Sequence, residues 1–393
     1  MPRWLYPLLL AVPAALIGRA VGMSSITVFV LSAIGLIPLA GMISMSTEAL
    51  AEHLGERFGG LLNATFGNAA ELIIGITAIA AGLPSVVRAS ITGSIIGNAL
   101  LVLGTAMLLG GWRYGVQTFD ARTAGQYAAL LALAVVGMSL PSLGAASGKL
   151  GISTSGVHGL PLHELSLAVA IVLLVAYAGY IAFSVFGVRA SRRDPMRRGR
   201  PAGISSRPTQ ARGGMRSARL AAVKGGGGDS PLARLASAWM TTRWLPIAVL
   251  GVATAFTALV SESLVSTIEP LAQSIGLSPF FVGLIVLPIV GNAAEHTSAL
   301  TMALSDRMEA SMAITAGSSI QIALLVAPVL VLVSTFMGKT LDLDFNGLEL
   351  ITLGLIAGLY ALVSLDGEST WLEGLLLAAF YIIVAAVAFF IPG

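Results

Sequence analysis

Long apolar stretches alternate with short polar interruptions along the whole chain. Stretches near the 20 or so residues that a helix needs to cross a bilayer fall at about 4–22, 26–52, 60–82, 85–110, 122–141 and 162–187, then at 243–268, 278–304, 309–336, 347–364 and 370–391. The pattern predicts an all-α, polytopic membrane protein of about eleven transmembrane helices. One leading helix lies within 1–25, a first five-helix set covers 26–187 and a second covers 243–393. Arg3 ahead of a short apolar run is also how a signal peptide begins, but Leu16-Ile17-Gly18-Arg19-Ala20 lacks a small-residue cleavage pattern, so the segment is expected to stay as a helix.

Inside this pattern one short motif repeats. Gly67–Glu71 reads GNAAE and returns unchanged at Gly291–Glu295. A shift of 224 positions lays residues 67–102 over 291–326 without a gap, with 14 of 36 residues identical, and both copies carry a Gly-Ser pair, Gly93-Ser94 and Gly317-Ser318. Abundant Ala, Leu and Gly inflate such a count, but the shared Asn and Glu are not explained that way. An ionisable group at the centre of an apolar span costs roughly 2.5–3.5 kcal/mol on insertion scales.

Between the two sets, 188–242 breaks the pattern. Residues Val188–Met240 hold twelve Lys or Arg, a Gly225–Gly228 run and little apolar periodicity. Such a segment is expected to be a flexible cytoplasmic linker, though its Arg density also suits anionic lipid headgroups. The basic residues set an orientation. With the N-terminus inside, 18 Lys or Arg lie on the cytoplasmic side, and four, Arg19, Arg88, Lys149 and Lys339, lie outside. An odd number of crossings then separates the two GNAAE helices, so the repeats are expected to be inverted about an axis in the membrane plane, as in many secondary transporters. A multi-pass protein of a bacterial or archaeal plasma membrane, with the central loop cytoplasmic, is the expected setting.

Composition narrows the chemistry. The chain is 56% hydrophobic and 10% charged, far from a soluble domain. It contains no cysteine, which removes thiolate metal sites and thiol nucleophiles. The net charge of +3 is concentrated in the linker and is explained by topology, so nucleic acid is not indicated as a partner and the lipid bilayer is. No phosphate loop, GxSxG elbow or HExxH pattern occurs, and the chain is read as a non-enzyme.

On a continuous helix Asn68 and Glu71, three residues apart, share one face, as do Asn292 and Glu295. The preceding glycines, with Pro288 in the second copy, suggest that backbone carbonyls leave the ladder there. Ser94, Ser318, Ser319 and Gln321 add further oxygens from the partner helices. Two carboxylates with amide, hydroxyl and carbonyl oxygens suit a hard divalent cation such as Ca2+, so Glu71 and Glu295 are the candidate metal ligands. The alternative for the glutamates is a protonated hydrogen bond between helices. Their repetition, and the usual role of membrane carboxylates, favours an ion or proton pathway. The Asn and Ser residues have packing as their alternative. His296, next to Glu295, faces another way and is read as lining the cavity on the cation's way in, or as satisfied locally, rather than as a ligand. Glu48, Glu52 and Glu56 near one membrane face, and Glu262 and Glu269 near the other, are either solvated helix ends or acids that draw cations in.

At these residues the chain resembles the calcium/proton exchangers of the calcium/cation antiporter superfamily, which also contains the sodium/calcium exchangers. The stretches EALAEHLGERFGGLLNATFGNAAELIIGI (Glu48–Ile76) and IEPLAQSIGLSPFFVGLIVLPIVGNAAEHTSALTMAL (Ile268–Leu304) are similar to that family's two signature repeats, and GSSIQIALLVAP (Gly317–Pro328) to the end of the second. The resemblance implies eleven helices, antiport of cytoplasmic Ca2+ for H+, and a site centred on Glu71 and Glu295. Ca2+ is then cargo, and no resident cofactor is expected. Many members carry an acidic stretch in the central loop, whereas Val188–Met240 is basic, so regulation by such a stretch does not carry over.

Charge supplies a mechanism. Two unpaired carboxylates cannot both stay ionised at low dielectric, so they load protons unless a divalent cation neutralises them. Only loaded states reorient easily, with the second and seventh helices sliding past a fixed core. Sodium/calcium exchange, or exchange of another divalent cation, is the runner-up; a channel is disfavoured by the inverted repeats.

Overall fold

The computed structural model describes residues 3–54, 62, 65–149, 162–186 and 244–391. Within them the chain forms eleven helices: α1 (Ala11–Ala20, entered through a 3-10 segment Arg3–Leu10), α2 (Ser25–Leu54), α3 (Ala69–Ala80), α4 (Pro84–Tyr114), α5 (Ala121–Lys149), α6 (Leu162–Phe186), α7 (Trp244–Ile275), α8 (Pro279–Gly291 and Ala293–Ala303), α9 (Met308–Phe336), α10 (Gly347–Val363) and α11 (Trp371–Phe390). Each expected span has its helix. Seven are long and apolar enough to cross a membrane unaided, α8 reaches that length as a bent pair, and α1, α3 and α10 are shorter. The chain is an integral, multi-pass membrane protein. The linker expected at 188–242 and Glu56 lie outside the described residues.

Local chemistry sets the helix ends. Asn346 and Glu349 form a reciprocal capping box at the start of α10, and Thr370 and Glu373 do the same for α11. Ser278 caps α8 by accepting from the Phe281 N–H at 3.1 Å. α7 ends at Gly276, whose φ of 72° is left-handed, where a side chain would be strained. Two residue pairs, Gln117–Thr118 and Glu368–Ser369, form a minimal antiparallel ladder between the α4–α5 and α10–α11 loops.

Lipid offers apolar side chains no reason to cluster, so helices associate through close packing and polar ties. α4 is the centre: 83% of its most apolar window is buried, against 22% for α6. The outer helices expose bare apolar residues, Leu133 and Val136 on α5 and Val172 and Val175 on α6, as a lipid-facing surface requires. α4 crosses α8 where glycines allow backbones to touch. A Cβ on Gly93 would collide with the Leu284 carbonyl, and one on Gly283 would stand 2.7 Å from the Val86 carbonyl. This crossing brings the Gly-Ser pair of one half onto the GNAAE helix of the other. α2 and α7 pack along each other and α1 lies over both.

Three π-helical turns interrupt the central helices: Gly97–Val102 in α4, Val282–Val286 in α8 and Ile322–Val326 in α9. The first and third occupy equivalent places in the two repeats, one turn beyond Ser94 and Ser318. π-turns are locally unfavourable and recur at functional sites.

Candidate functional site

The helices of the two GNAAE motifs do not run through them. Asn68 has φ −103° and ψ 25°, and Asn292 has φ −94° and ψ 9°, so each stands at a break, one residue before α3 and before the second half of α8. α8 bends by 61° there. This corrects the expectation of one continuous face: each Glu lies in the first turn after the break, beside a helix N-terminus whose dipole favours negative charge. The Asn carbonyls themselves remain in the ladder, accepting from the Leu72 N–H at 3.1 Å and the His296 N–H at 2.9 Å. The freeing of carbonyls expected from the glycines therefore does not extend to these two.

Each asparagine reaches across to the other half. Asn292 Nδ2 donates to Ser94 Oγ at 3.2 Å and to the Pro288 carbonyl at 3.0 Å. Asn68 Nδ2 donates to Gln321 Oε1. The Ser318 hydroxyl, within hydrogen-bonding reach of the Glu295 carboxylate, also accepts from Asn98 Nδ2 at 2.8 Å. A Cβ on Gly291 would come 3.7 Å from Glu71 Oε1, so Glu71 of the first motif packs against the second.

With the amide N–H groups committed, four oxygens are left over. Asn68 Oδ1, Glu71 Oε2, Asn292 Oδ1 and Glu295 Oε2 are all buried without a hydrogen-bond partner among the described residues. They form two equivalent pairs, one from each repeat. An orphaned buried acceptor costs about 1–3 kcal/mol and more when charged, so four together describe a place that a cation or protons would complete. No three His, Asp or Glu side chains gather anywhere among the described residues, so a cation here would be held by two carboxylates and neutral oxygens.

The other candidates are placed variously. Ser94, Ser318 and Gln321 join the group through the contacts above. Ser319 donates to the Thr315 carbonyl of its own helix at 3.0 Å, which commits its hydroxyl proton within α9. His296 is half-buried on α8 beside Glu295. Glu48 and Glu52 are exposed at the end of α2, and Glu269 is exposed on α7. Glu262, expected either as a solvated helix end or as an acid that draws cations in, is exposed and pairs with Arg19 of α1 at 2.9 Å.

Asn98 was missed by the sequence reading. It is 1% exposed in an apolar run, and its orienting bond to Ser318 crosses the repeats. Under the 224-residue shift Asn98 falls on Ile322, and Gln321 falls on Gly97. The two halves thus place their second amide one position apart, and a search for identical pairs passes over both. The signal available was the lone amide inside an apolar helix.

The chain matches the sodium/calcium exchanger protein family over residues 24–186 and 245–390. It is 40% identical to a Ca(2+)/H(+) antiporter of Synechocystis, covering 98% of this chain and 96% of that one, and 38% identical to a Ca(2+)/H(+) antiporter of Aphanothece halophytica over the same shares. Among solved structures, native YfkE superposes with a TM-score of 0.76 at 31% identity, covering 99% of this chain and 100% of that one. A membrane exchanger is the class that the fold and the repeated site define. The chain belongs to the sodium/calcium exchanger protein family.

Proposed function

We infer that this protein is a secondary active antiporter that exchanges Ca2+ for H+ by alternating access, and that Glu71 and Glu295 carry both ions in turn. The observation that carries the reading is the set of four unpartnered oxygens, Asn68 Oδ1, Glu71 Oε2, Asn292 Oδ1 and Glu295 Oε2, drawn equally from two repeats. With Ca2+ bound, the two carboxylates are neutralised and the amide oxygens gain a partner. With protons bound, the carboxylates are neutral and the site is again closed. The doubly ionised empty site is the state that reorients worst, which couples the two fluxes. The full-length relatives that are Ca(2+)/H(+) antiporters support this pairing of ions over sodium.

The distribution of basic residues supports a cytoplasmic N-terminus, and we take the direction to be Ca2+ out of the cytoplasm, driven by protons moving in. Reorientation is assigned to α2 and α7, which pack on each other. The test is flux in reconstituted vesicles: a pH gradient should drive Ca2+ movement, and a sodium gradient at fixed pH should not. Ca2+ movement driven by sodium alone would replace the proton by sodium in this reading.

A further inference from the structure

A narrow cavity runs from Glu71 toward the membrane face that carries the 81–83 turn. Its three walls climb together by helical turns: Glu71 then Gly75 on α3, Ser94 then Ser90 on α4, and Ile322, Val326 and Leu330 on α9. Its free volume is about 10 Å3, room for one water molecule and far too little for a hydrated cation. The narrowing has an identifiable cause. Leu330 packs so closely on Gly75 that a Cβ there would stand 2.6 Å from Leu330 Cδ1.

Ser90, like Ser32, Ser261 and Ser311, lacks the bond that many helical serines make to their own helix, and of these four it alone lines the cavity. Ser46, Ser139 and Ser319 each donate to the carbonyl four residues back. Ser90 is half-buried, and its hydroxyl has no hydrogen-bond partner among the described residues. A hydroxyl both donates and accepts, so it can hold a water or an incompletely hydrated cation one turn from the Ser94–Glu71 level. The opposite wall is wholly apolar, as in constrictions that close by dewetting.

The repeat does not impose this construction. Under the 224-residue shift Gly75 becomes Ala299, Ser90 becomes Ile314, and Leu330 corresponds to Ala106. The polar step and its apolar closure therefore belong to this side of the site alone.

We propose that this cavity is the passage by which the cation moves between Glu71 and the membrane face at the 81–83 turn, with Ser90 as its second polar step and Leu330 on Gly75 as the closure. The proposal rests on the reading of Glu71 as a cation ligand. Leu330 is the movable part, because its side chain can swing off a glycine at no backbone cost.

The chain has no cysteine, so Ser90→Cys introduces a unique thiol. In vesicles without Ca2+, a small cationic methanethiosulfonate should label it, and labelling should stop exchange. Leu330→Ala should speed labelling roughly tenfold, and Gly75→Ala should slow it on the scale that one overpacked methyl sets. Without any label, Gly75→Ala should slow exchange and Gly75→Ala with Leu330→Ala should restore it, Ca2+ binding at equilibrium staying unchanged in both. A thiol that stays unreactive in the Leu330→Ala background, labelling that leaves exchange intact, or equal exchange in the single and double variants overturns the passage. A wrong site reading shows differently, as Ca2+ binding that survives Glu71→Gln while the labelling pattern holds.

Discussion

Asn292 Nδ2 donates to Ser94 Oγ at 3.2 Å, joining the second GNAAE motif to the Gly-Ser pair of the first repeat. Asn68 makes the reciprocal reach, to Gln321. In both cases the N–H side of the amide is tied to the opposite half, while its oxygen stays buried without a partner. The asparagines thus join the halves and keep an oxygen each uncommitted.

Asn68→Ala and Asn292→Ala each remove one such oxygen and one tie. Each should weaken Ca2+ binding by roughly tenfold, the worth of about 1.4 kcal/mol, and lower the unfolding temperature in detergent modestly. Gln321→Ala should act in the same direction by freeing the Asn68 amide. Calorimetric titration reads the affinity, and unchanged values in all three would leave only the glutamates in the site.

Glu71→Gln and Glu295→Gln should each abolish exchange while leaving an inserted, folded protein. Gln resembles the protonated acid in size and hydrogen bonding but cannot release a proton or neutralise Ca2+. Vesicle flux together with a size-exclusion profile checks both halves of the expectation, and normal transport by either variant would remove that residue from the site.

Asn98→Ala should lower the exchange rate severalfold with a smaller effect than Glu295→Gln. Asn98 acts through Ser318, which it holds at 2.8 Å, and Ser318 in turn lies on Glu295. Ser318→Ala should remove most of the effect of Asn98→Ala when the two are combined, because they form one chain of contacts. Additive losses would show two independent roles.

The eleven spans were legible because apolar length alone marks a membrane helix, and the glutamate pair because two costly acids recur at one spacing. The break at Asn68 and Asn292 was not legible: Gly67 and Gly291 weaken the helix, but only the dihedrals of the following residue show where it parts. Asn98 escaped because repeat symmetry moved its counterpart by one position. The pairing of Glu262 with Arg19 joins residues 243 apart, and no local pattern predicts a partner from the leading helix.

That pair stands in the open, with both side chains substantially exposed, and exposed ion pairs contribute about 0–1 kcal/mol. Glu262→Gln should therefore change thermal stability little and leave Ca2+ flux at its normal rate. A large fall in apparent Ca2+ affinity at low salt, recovered by raising the salt, would instead return Glu262 to a role in drawing cations toward the site.

Competition between protons and Ca2+ for Glu71 and Glu295 is the centre of this account, and Ca2+ affinity measured across a pH series at constant ionic strength tests it most directly. As pH falls, protons occupy the carboxylates and Ca2+ must displace them, so affinity falls on the acid side. Each displaced proton adds a slope of about one in log affinity against pH, and two carboxylates predict a limiting slope near about two. At high pH, with nothing left to displace, the profile should level off. A profile that is flat throughout would mean that protons do not share the Ca2+ site, and would contradict the account.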